Sequence, residues 1–184
     1  LLRYRFREER MPVPLQHRGA YRVAFPGLML ALALVLSFFE SMLPALPFLP
    51  VGVKLGLSNI VTMYCLFFLG AKTAFAVAIL KSLFVLLTRG VVGAALSLSG
   101  GLCSVCLMLL FKRLPGLGDR IISIVGAISH NVGQLILASI ILKSVYTFYY
   151  LPVMFLSGVG MGLITGILLR LVMPYLKNVN RAIK

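Results

Sequence analysis

The chain is written in long apolar runs separated by short clusters of polar or helix-breaking residues. Six runs stand out, over approximately residues 23–43, 54–70, 72–88, 91–111, 121–143 and 152–173. Each approaches the ~20 apolar residues that a helix needs to cross the ~30 Å hydrocarbon core of a bilayer. The runs are continuous rather than alternating, so they read as helices and not as strands of a closed barrel. Breakers mark the joins: Pro44, Pro47 and Pro50, then Gly70, Gly90, and the group Pro115, Gly116 and Gly118. Asp119 is placed to cap the fifth helix, and Pro152 to open the sixth. The pattern predicts an all-α, polytopic membrane protein: a basic tail over 1–22, one six-transmembrane-helix bundle over 23–176, and a second basic tail over 177–184.

Composition sharpens this. Hydrophobic residues make up 60% of the chain and charged ones 12%, with a mean hydropathy of +1.03. Soluble domains carry about 25% charged residues, and a soluble fold of this size leaves too much surface exposed to hide so much apolar area. An ordinary cytosolic enzyme is excluded, as is disorder. Three cysteines in 184 residues exclude a disulfide-stapled secreted fold.

The net charge is +14, from 18 basic residues against Glu8, Glu9, Glu40 and Asp119. In a soluble domain such an excess points to nucleic acid. Here the cations flank apolar runs, so they read as topology signals beside anionic lipid, and no nucleic-acid partner is expected. One side of the membrane collects Arg3, Arg5, Arg7, Arg10, Arg18, Arg22, Lys72, Lys112, Arg113, Arg120, Lys177, Arg181 and Lys184; the other has Lys54, Arg89 and Lys143. Both termini are expected on the cytoplasmic side of a plasma (cytoplasmic) membrane. The chain opens on Leu1, with Met11 a candidate start. The first run is too long, and too poor in a cleavage signal, for a cleaved signal peptide.

Ionisable groups inside spans are costly and call for a reason. Glu40 is the one acid within a span, near the outer end of helix one. Lys54, Arg89 and Lys143 fall at outer helix ends, where snorkelling is the alternative to a site. Lys81 lies near the middle of helix three, too deep to snorkel easily, and Glu40 is a candidate partner. His130, Asn131 and Gln134 bring three hydrogen-bonding side chains to mid-helix five, with His130 and Gln134 on one face. Ser58, Asn59 and Thr62 add polar groups to helix two. Interhelical hydrogen bonding is the simpler explanation for either set. Glu40, Lys54, Asn59, Lys81, Arg89, His130, Asn131 and Gln134 are therefore the candidate substrate-binding residues. Ala20, Ala24, Gly27 and Ala31 fall within about 60° of one another on a helical wheel, a small-residue stripe opposite Glu40. Gly158, Gly162 and Gly166 repeat the device in the last helix, and packing within the bundle is the alternative for both.

Cys103 and Cys106 form a C-x-x-C within a helix, which is read as ordinary packing. There is no P-loop, no Ser-His-Asp set and no paired aspartates to hold Mg²⁺. Catalysis by the chain alone, a metal site and a cofactor are not expected.

The segment Leu49-Pro50-Val51-Gly52-Val53-Lys54-Leu55-Gly56-Leu57-Ser58-Asn59-Ile60-Val61 resembles the signature of the Gx transporter family, also labelled heptaprenyl diphosphate synthase component I. Leu80-Lys81-Ser82 with Arg89, Ser97-Leu98-Ser99-Gly100-Gly101, and Ser129-His130-Asn131-Val132-Gly133-Gln134-Leu135 are similar to further stretches of that family, in order, over about residues 25–173. The resemblance implies a bundle akin to the substrate-binding S components of energy-coupling-factor transporters. Such components take a small molecule from outside, under a loop that here corresponds to Pro44–Gly52. They draw energy from a transmembrane coupling protein with an ATPase pair. The stripe Ala20–Ala31 is similar to the alanine motif that meets the coupling protein, though displaced and mixed with glycine. The resemblance also brings flavin- and quinone-related compounds in as candidate substrates.

The expected function is a membrane-embedded binding subunit for uptake of a small organic, anionic molecule. The alternatives are a non-catalytic membrane subunit of a heptaprenyl (polyprenyl) diphosphate synthase system, since the aspartate-rich motifs of prenyl elongation are absent, or a structural subunit of a membrane redox complex.

Overall fold

A computed structural model describes residues 18–42 and 57–183, with side chains over 23–42 and 57–167. Every regular element among the described residues is a helix. Helix α1 spans Arg18–Met42. Helix α2 spans Asn59–Tyr64 and runs into a π-helical turn at Cys65–Leu69. Helix α3 covers Ala71–Lys112, α4 Asp119–Leu142 and α5 Leu151–Ile183, with a 3-10 turn at Val145–Tyr150 ahead of α5.

As a straight rod, the 42 residues of α3 would reach ~63 Å, about twice the thickness of the hydrocarbon core. Gly90 prevents that. Its φ of 74° and ψ of −174° lie outside the helical region, in conformational space open chiefly to glycine. Contacts on either side mirror one another about it. The Ser82 and Ser97 hydroxyls are 3.4 Å apart, and a Cβ built on Gly101 would stand 3.4 Å from Ala78 Cβ. The stretch is thus a helical hairpin with arms over residues 71–89 and 91–112. The break falls where the sequence ends one predicted span and begins the next.

Four segments among the described residues are long and apolar enough to cross a membrane: Val23–Met42, Ala71–Lys112, Asp119–Leu142 and Val145–Ile167. The expectation of a spanning helix over 54–70 is met only by the shorter Asn59–Leu69. That segment ends in a π-turn that hydropathy does not reveal, with the Gly70 N–H donating to the Cys65 carbonyl at 2.9 Å. The turn is held from outside. Lys112 Nζ donates to the Leu66 carbonyl at 3.1 Å and lies 5.1 Å from the Phe67 ring centroid, placing a cation at the carbonyl end of a helix. Gly118, not Asp119, is the N-cap of α4; Asp119 is the first helical residue. Helix α5 continues without a break past 176 to Ile183, so the described part of the expected C-terminal tail is helical.

Helix α4 sits between the α3 hairpin and α5, and α1 and α2 close the other flank of the hairpin. The α4–α5 seam is built on glycine. Cβ atoms on Gly158 and Gly162 would stand 3.0 and 2.5 Å from the Cα atoms of Ile128 and Ile124, so the two backbones approach as small-residue seams permit.

The interior is divided along the bundle. Around the Gly70 end lies an apolar cluster that includes Met29, Ala33, Val61, Met63, Tyr64, Leu66, Val77, Val105 and Met108. Tyr64 stacks on Phe68 with centroids 4.7 Å apart. Toward the Gly90 end the buried side chains turn polar. The outside is the reverse of a soluble protein's: Val23, Leu28, Phe39, Leu87, Val91 and Leu156 are all exposed. This is the surface expected of helices solvated by lipid.

Candidate functional site

Five segments contribute to one polar chamber beside the hairpin turn. Ser37 and Glu40 come from α1 and Ser58 from the approach to α2. Lys81, Val85 and Arg89 come from the first arm of α3, with Gly93, Leu96 and Ser97 from the second. His130 and Gln134 come from α4. Helical spacing explains each set: Lys81, Val85 and Arg89 recur every four residues, as do Gly93 and Ser97, and His130 and Gln134. The space in which the centre of a water molecule fits is ≈ 20 Å³, room for about one water.

Burial makes the chamber costly. Lys81 is 2% exposed, Glu40 5%, His130 3% and Gln134 4%. The Glu40 carboxylate acts electrostatically on both Lys81 and Arg89. Gln134 Nε2 and His130 Nε2 stand 3.0 Å apart. An amide nitrogen only donates, so in this placement the Gln134 amide donates to His130 Nε2. Among the described residues Gln134 Oε1 has no hydrogen-bond partner, so an acceptor is left over at the chamber wall. Two glycines make the arrangement possible. A Cβ on Gly100 would stand 2.8 Å from His130 Nδ1 and 2.9 Å from Gln134 Cγ, and one on Gly93 would stand 2.9 Å from Arg89 Cβ.

A second, smaller cavity of ≈ 10 Å³ lies toward the apolar end, lined by Asn59, Met63, Met108, Ser123, Gly126, Ala127, His130, Met161 and Thr165. His130 walls both cavities. Asn59 Nδ2 donates to Ser104 Oγ at 3.2 Å, and Ser104 donates to the Gly126 carbonyl at 2.8 Å. Asn59 Oδ1 has no partner among the described residues.

Of the eight residues singled out in the sequence, Glu40, Lys81, Arg89, His130 and Gln134 line the chamber, and Asn59 lines the second cavity. Asn131 is placed elsewhere: its Nδ2 donates to the Met154 carbonyl at 2.9 Å and to Ser157 Oγ at 3.0 Å, binding α4 to α5. Lys54 and the Pro44–Gly52 loop lie outside the described residues. Ser37, Ser97, Gly93, Val85 and Leu96 were not singled out as site residues. Ser97 stands in the family-like stretch Ser97-Leu98-Ser99-Gly100-Gly101; for the others the only signal is the four-residue spacing of Val85 from Lys81 and of Gly93 from Arg89.

On α1, Ala24, Gly27 and Ala31 are exposed, with nothing within 4 Å of a Cβ on Gly27; the Ala20 side chain lies outside the described set. The α1 stripe is therefore open while the α5 stripe is used within the bundle. Cys65, Cys103 and Cys106 are free thiols, and Cys103 packs against Gly133. No group of three or more His, Cys, Asp or Glu that could hold a metal occurs among the described residues.

Comparison with curated proteins gives no match. Among solved structures, the S component of a bacterial ECF transporter is similar in fold, with a TM-score of 0.68 at 22% sequence identity over 88% of this chain and 98% of that one. The fold is therefore that of a multi-pass, S-component-like helical bundle. The family model described as heptaprenyl diphosphate synthase component I matches residues 29–172. Since that match takes in every span but the start of the first and every described chamber residue, the chain belongs to the heptaprenyl diphosphate synthase component I family.

Proposed function

We propose that the protein is a membrane-embedded substrate-binding subunit that takes up a small organic, anionic molecule, such as a flavin- or quinone-related compound, with energy from separate partner subunits. One observation carries this: five segments of an S-component-like bundle enclose buried ionisable and hydrogen-bonding side chains that face one another rather than lipid. Side chains this costly in a bilayer mark binding sites and pathways. In this scheme Lys81 and Arg89 meet acidic groups on the ligand, and Ser97, His130 and Gln134 orient it. Lys54, Asn59 and Asn131 complete or support the site, and the Pro44–Gly52 loop acts as its lid.

The proposal includes six crossings, with the two arms of α3 each counted as one and the apolar run over 54–70 as another. Both termini then face the cytoplasm and the chamber opens outward, the orientation that the asymmetry of Lys and Arg favours. The partner would be a transmembrane coupling protein with an ATPase pair, met through the stripe of Ala20, Ala24, Gly27 and Ala31, of which the last three are exposed.

The family description favours a second reading, a non-catalytic membrane subunit of a polyprenyl diphosphate synthase system. The chain has a single aspartate, Asp119, so the aspartate-rich chemistry of prenyl elongation would have to come from another subunit.

Native mass spectrometry of gently solubilised protein separates the two. Uptake predicts a retained small molecule and co-purification with an ATPase. Lys81→Ala and His130→Ala are each expected to lose the molecule while the folded bundle remains, by circular dichroism. Undiminished retention in both variants sinks the site assignment, and capture of an aspartate-rich synthase subunit instead of an ATPase favours the second reading.

A further inference from the structure

The smaller cavity, on the apolar side of His130, has spare hydrogen-bond acceptors on three of its walls. Asn59, from α2, lines it and is 8% exposed. The orientation of its amide follows from its neighbour. Ser104 spends its one proton on the Gly126 carbonyl at 2.8 Å, so toward Asn59, 3.2 Å away, it can only accept. The amide nitrogen therefore faces Ser104, and the atom left without a partner is the oxygen, Oδ1. Ser123 from α4 and Thr165 from α5 line the same cavity, and both are buried. Each gives its proton to a carbonyl one turn back along its own helix, Ser123 to Asp119 at 2.6 Å and Thr165 to Met161 at 2.7 Å. What each hydroxyl has left is a lone pair. His130, the remaining polar wall residue, meets Gln134 through Nε2.

We infer that this cavity is a binding site for one water molecule, which donates to Asn59 Oδ1 and to a hydroxyl oxygen of the Ser123–Thr165 pair. Three acceptors call for an occupant that donates, and water has two hydrogens to give. Size agrees, since the space in which the centre of a water molecule fits is ≈ 10 Å³, enough for water and too little for an organic group. A buried amide oxygen left without a donor is costly, and most of all in a bilayer, where no bulk water can reach it. A water making two bonds removes that cost. A metal cation would also seek acceptors, but it meets no carboxylate on this wall among the described residues, and an uncompensated charge at this depth is unfavourable. The water ties the short α2 to the α4–α5 pair, on the opposite side of His130 from the chamber. The site stands whether or not the chamber serves uptake.

Methionines make the test direct. Met63, Met108 and Met161 line the cavity, whereas Met154 lines neither cavity. Met108 and Met154 are equally buried, each 1% exposed. Pulsed X-ray radiolysis turns water into hydroxyl radicals that oxidise the side chains beside it, and mass spectrometry of peptides reads where. In the full chain in lipid nanodiscs, Met108 is expected to be oxidised several-fold faster than Met154. Asn59→Leu removes the acceptor, and Ala127→Val places two methyl groups on the cavity wall. Each is expected to bring Met108 down to the rate of Met154. Misfolding cannot imitate this result, because a loosened bundle admits water to both methionines and raises both rates. Equal oxidation of Met108 and Met154 in the unaltered chain overturns the inference, as does fast Met108 oxidation that persists in both variants. Replacing sodium by choline throughout is expected to change nothing; a rise in Met108 oxidation on that replacement assigns the cavity to a cation and overturns the inference as well.

Discussion

At the scale of single residues, space matters as much as charge. Gly100 lies against His130 and Gln134 so closely that a methyl group there would fall within 2.8–2.9 Å of their atoms, whereas Gly160 has nothing within 4 Å of a Cβ. Gly100→Ala is expected to cost about 1–3 kcal/mol and to displace the imidazole; Gly160→Ala is expected to be neutral or to stabilise by about 0.4–1 kcal/mol. Thermal unfolding of both variants side by side checks the contrast, and equal shifts would refute it. The same scale explains what could be read from the sequence. Glu40, Lys81, Arg89, His130 and Gln134 announce themselves because ionisable and amide groups are rare in apolar runs. Ser37 and Ser97 do not, since a serine can satisfy its hydroxyl on its own helix, as Ser82 does with the Ala78 carbonyl at 2.9 Å. Asn131 has the same composition signal as its neighbours, yet its face of α4 meets Met154 and Ser157. Nothing in the order of residues distinguishes a side chain aimed at a cavity from one aimed at a neighbouring helix.

At the scale of elements, runs of hydrophobicity located the helices and glycines located their ends. Gly70 and Gly90 both adopt positive φ, at 96° and 74°, and both end a helical rod. At Gly90 a side chain would be forced into a backbone region that glycine alone occupies comfortably, at a cost of about 1–3 kcal/mol. Gly90→Ala is expected to lower the unfolding midpoint and to loosen the pairing of Ser82 with Ser97, which a disulfide trap in the Ser82→Cys/Ser97→Cys double variant would report as slower crosslinking. Unchanged stability and unchanged crosslinking would mean that the turn does not depend on the glycine. The π-turn at Cys65–Leu69 and the 3-10 turn at Val145–Tyr150 were not legible. Both are single-turn adjustments set by tertiary contacts, such as Lys112 on the Leu66 carbonyl, and leave no periodic trace. The 3-10 turn does carry exposed Tyr146 and Tyr149, stacked with centroids 6.0 Å apart, an arrangement suited to the membrane–water boundary.

For the whole molecule, the two small-residue stripes part company. The glycines of α5 are filled by Ile124 and Ile128 of α4, while α1 leaves Gly27 facing open space. Sequence alone treated them alike, because close packing inside a bundle and docking between proteins require the same small side chains. Gly27→Leu is therefore expected to leave the stability of the isolated chain within about 0.5 kcal/mol and to reduce co-purification of a coupling partner. Quantitative pull-down from membranes, with the unfolding midpoint measured alongside, tests this; a destabilised chain, or undiminished capture, would count against the stripe as a docking face.

The hairpin at Gly90 also bears on how such a molecule is made. Lys81 and Arg89 lie on one arm, and the partner arm follows after a single hinge residue rather than a long loop. During biosynthesis the costly cations therefore need not wait for distant helices: the next segment to leave the ribosome already brings Ser97 to their side. The charged wall can enter the bilayer as a prefolded pair, leaving α4 to close it later with His130 and Gln134.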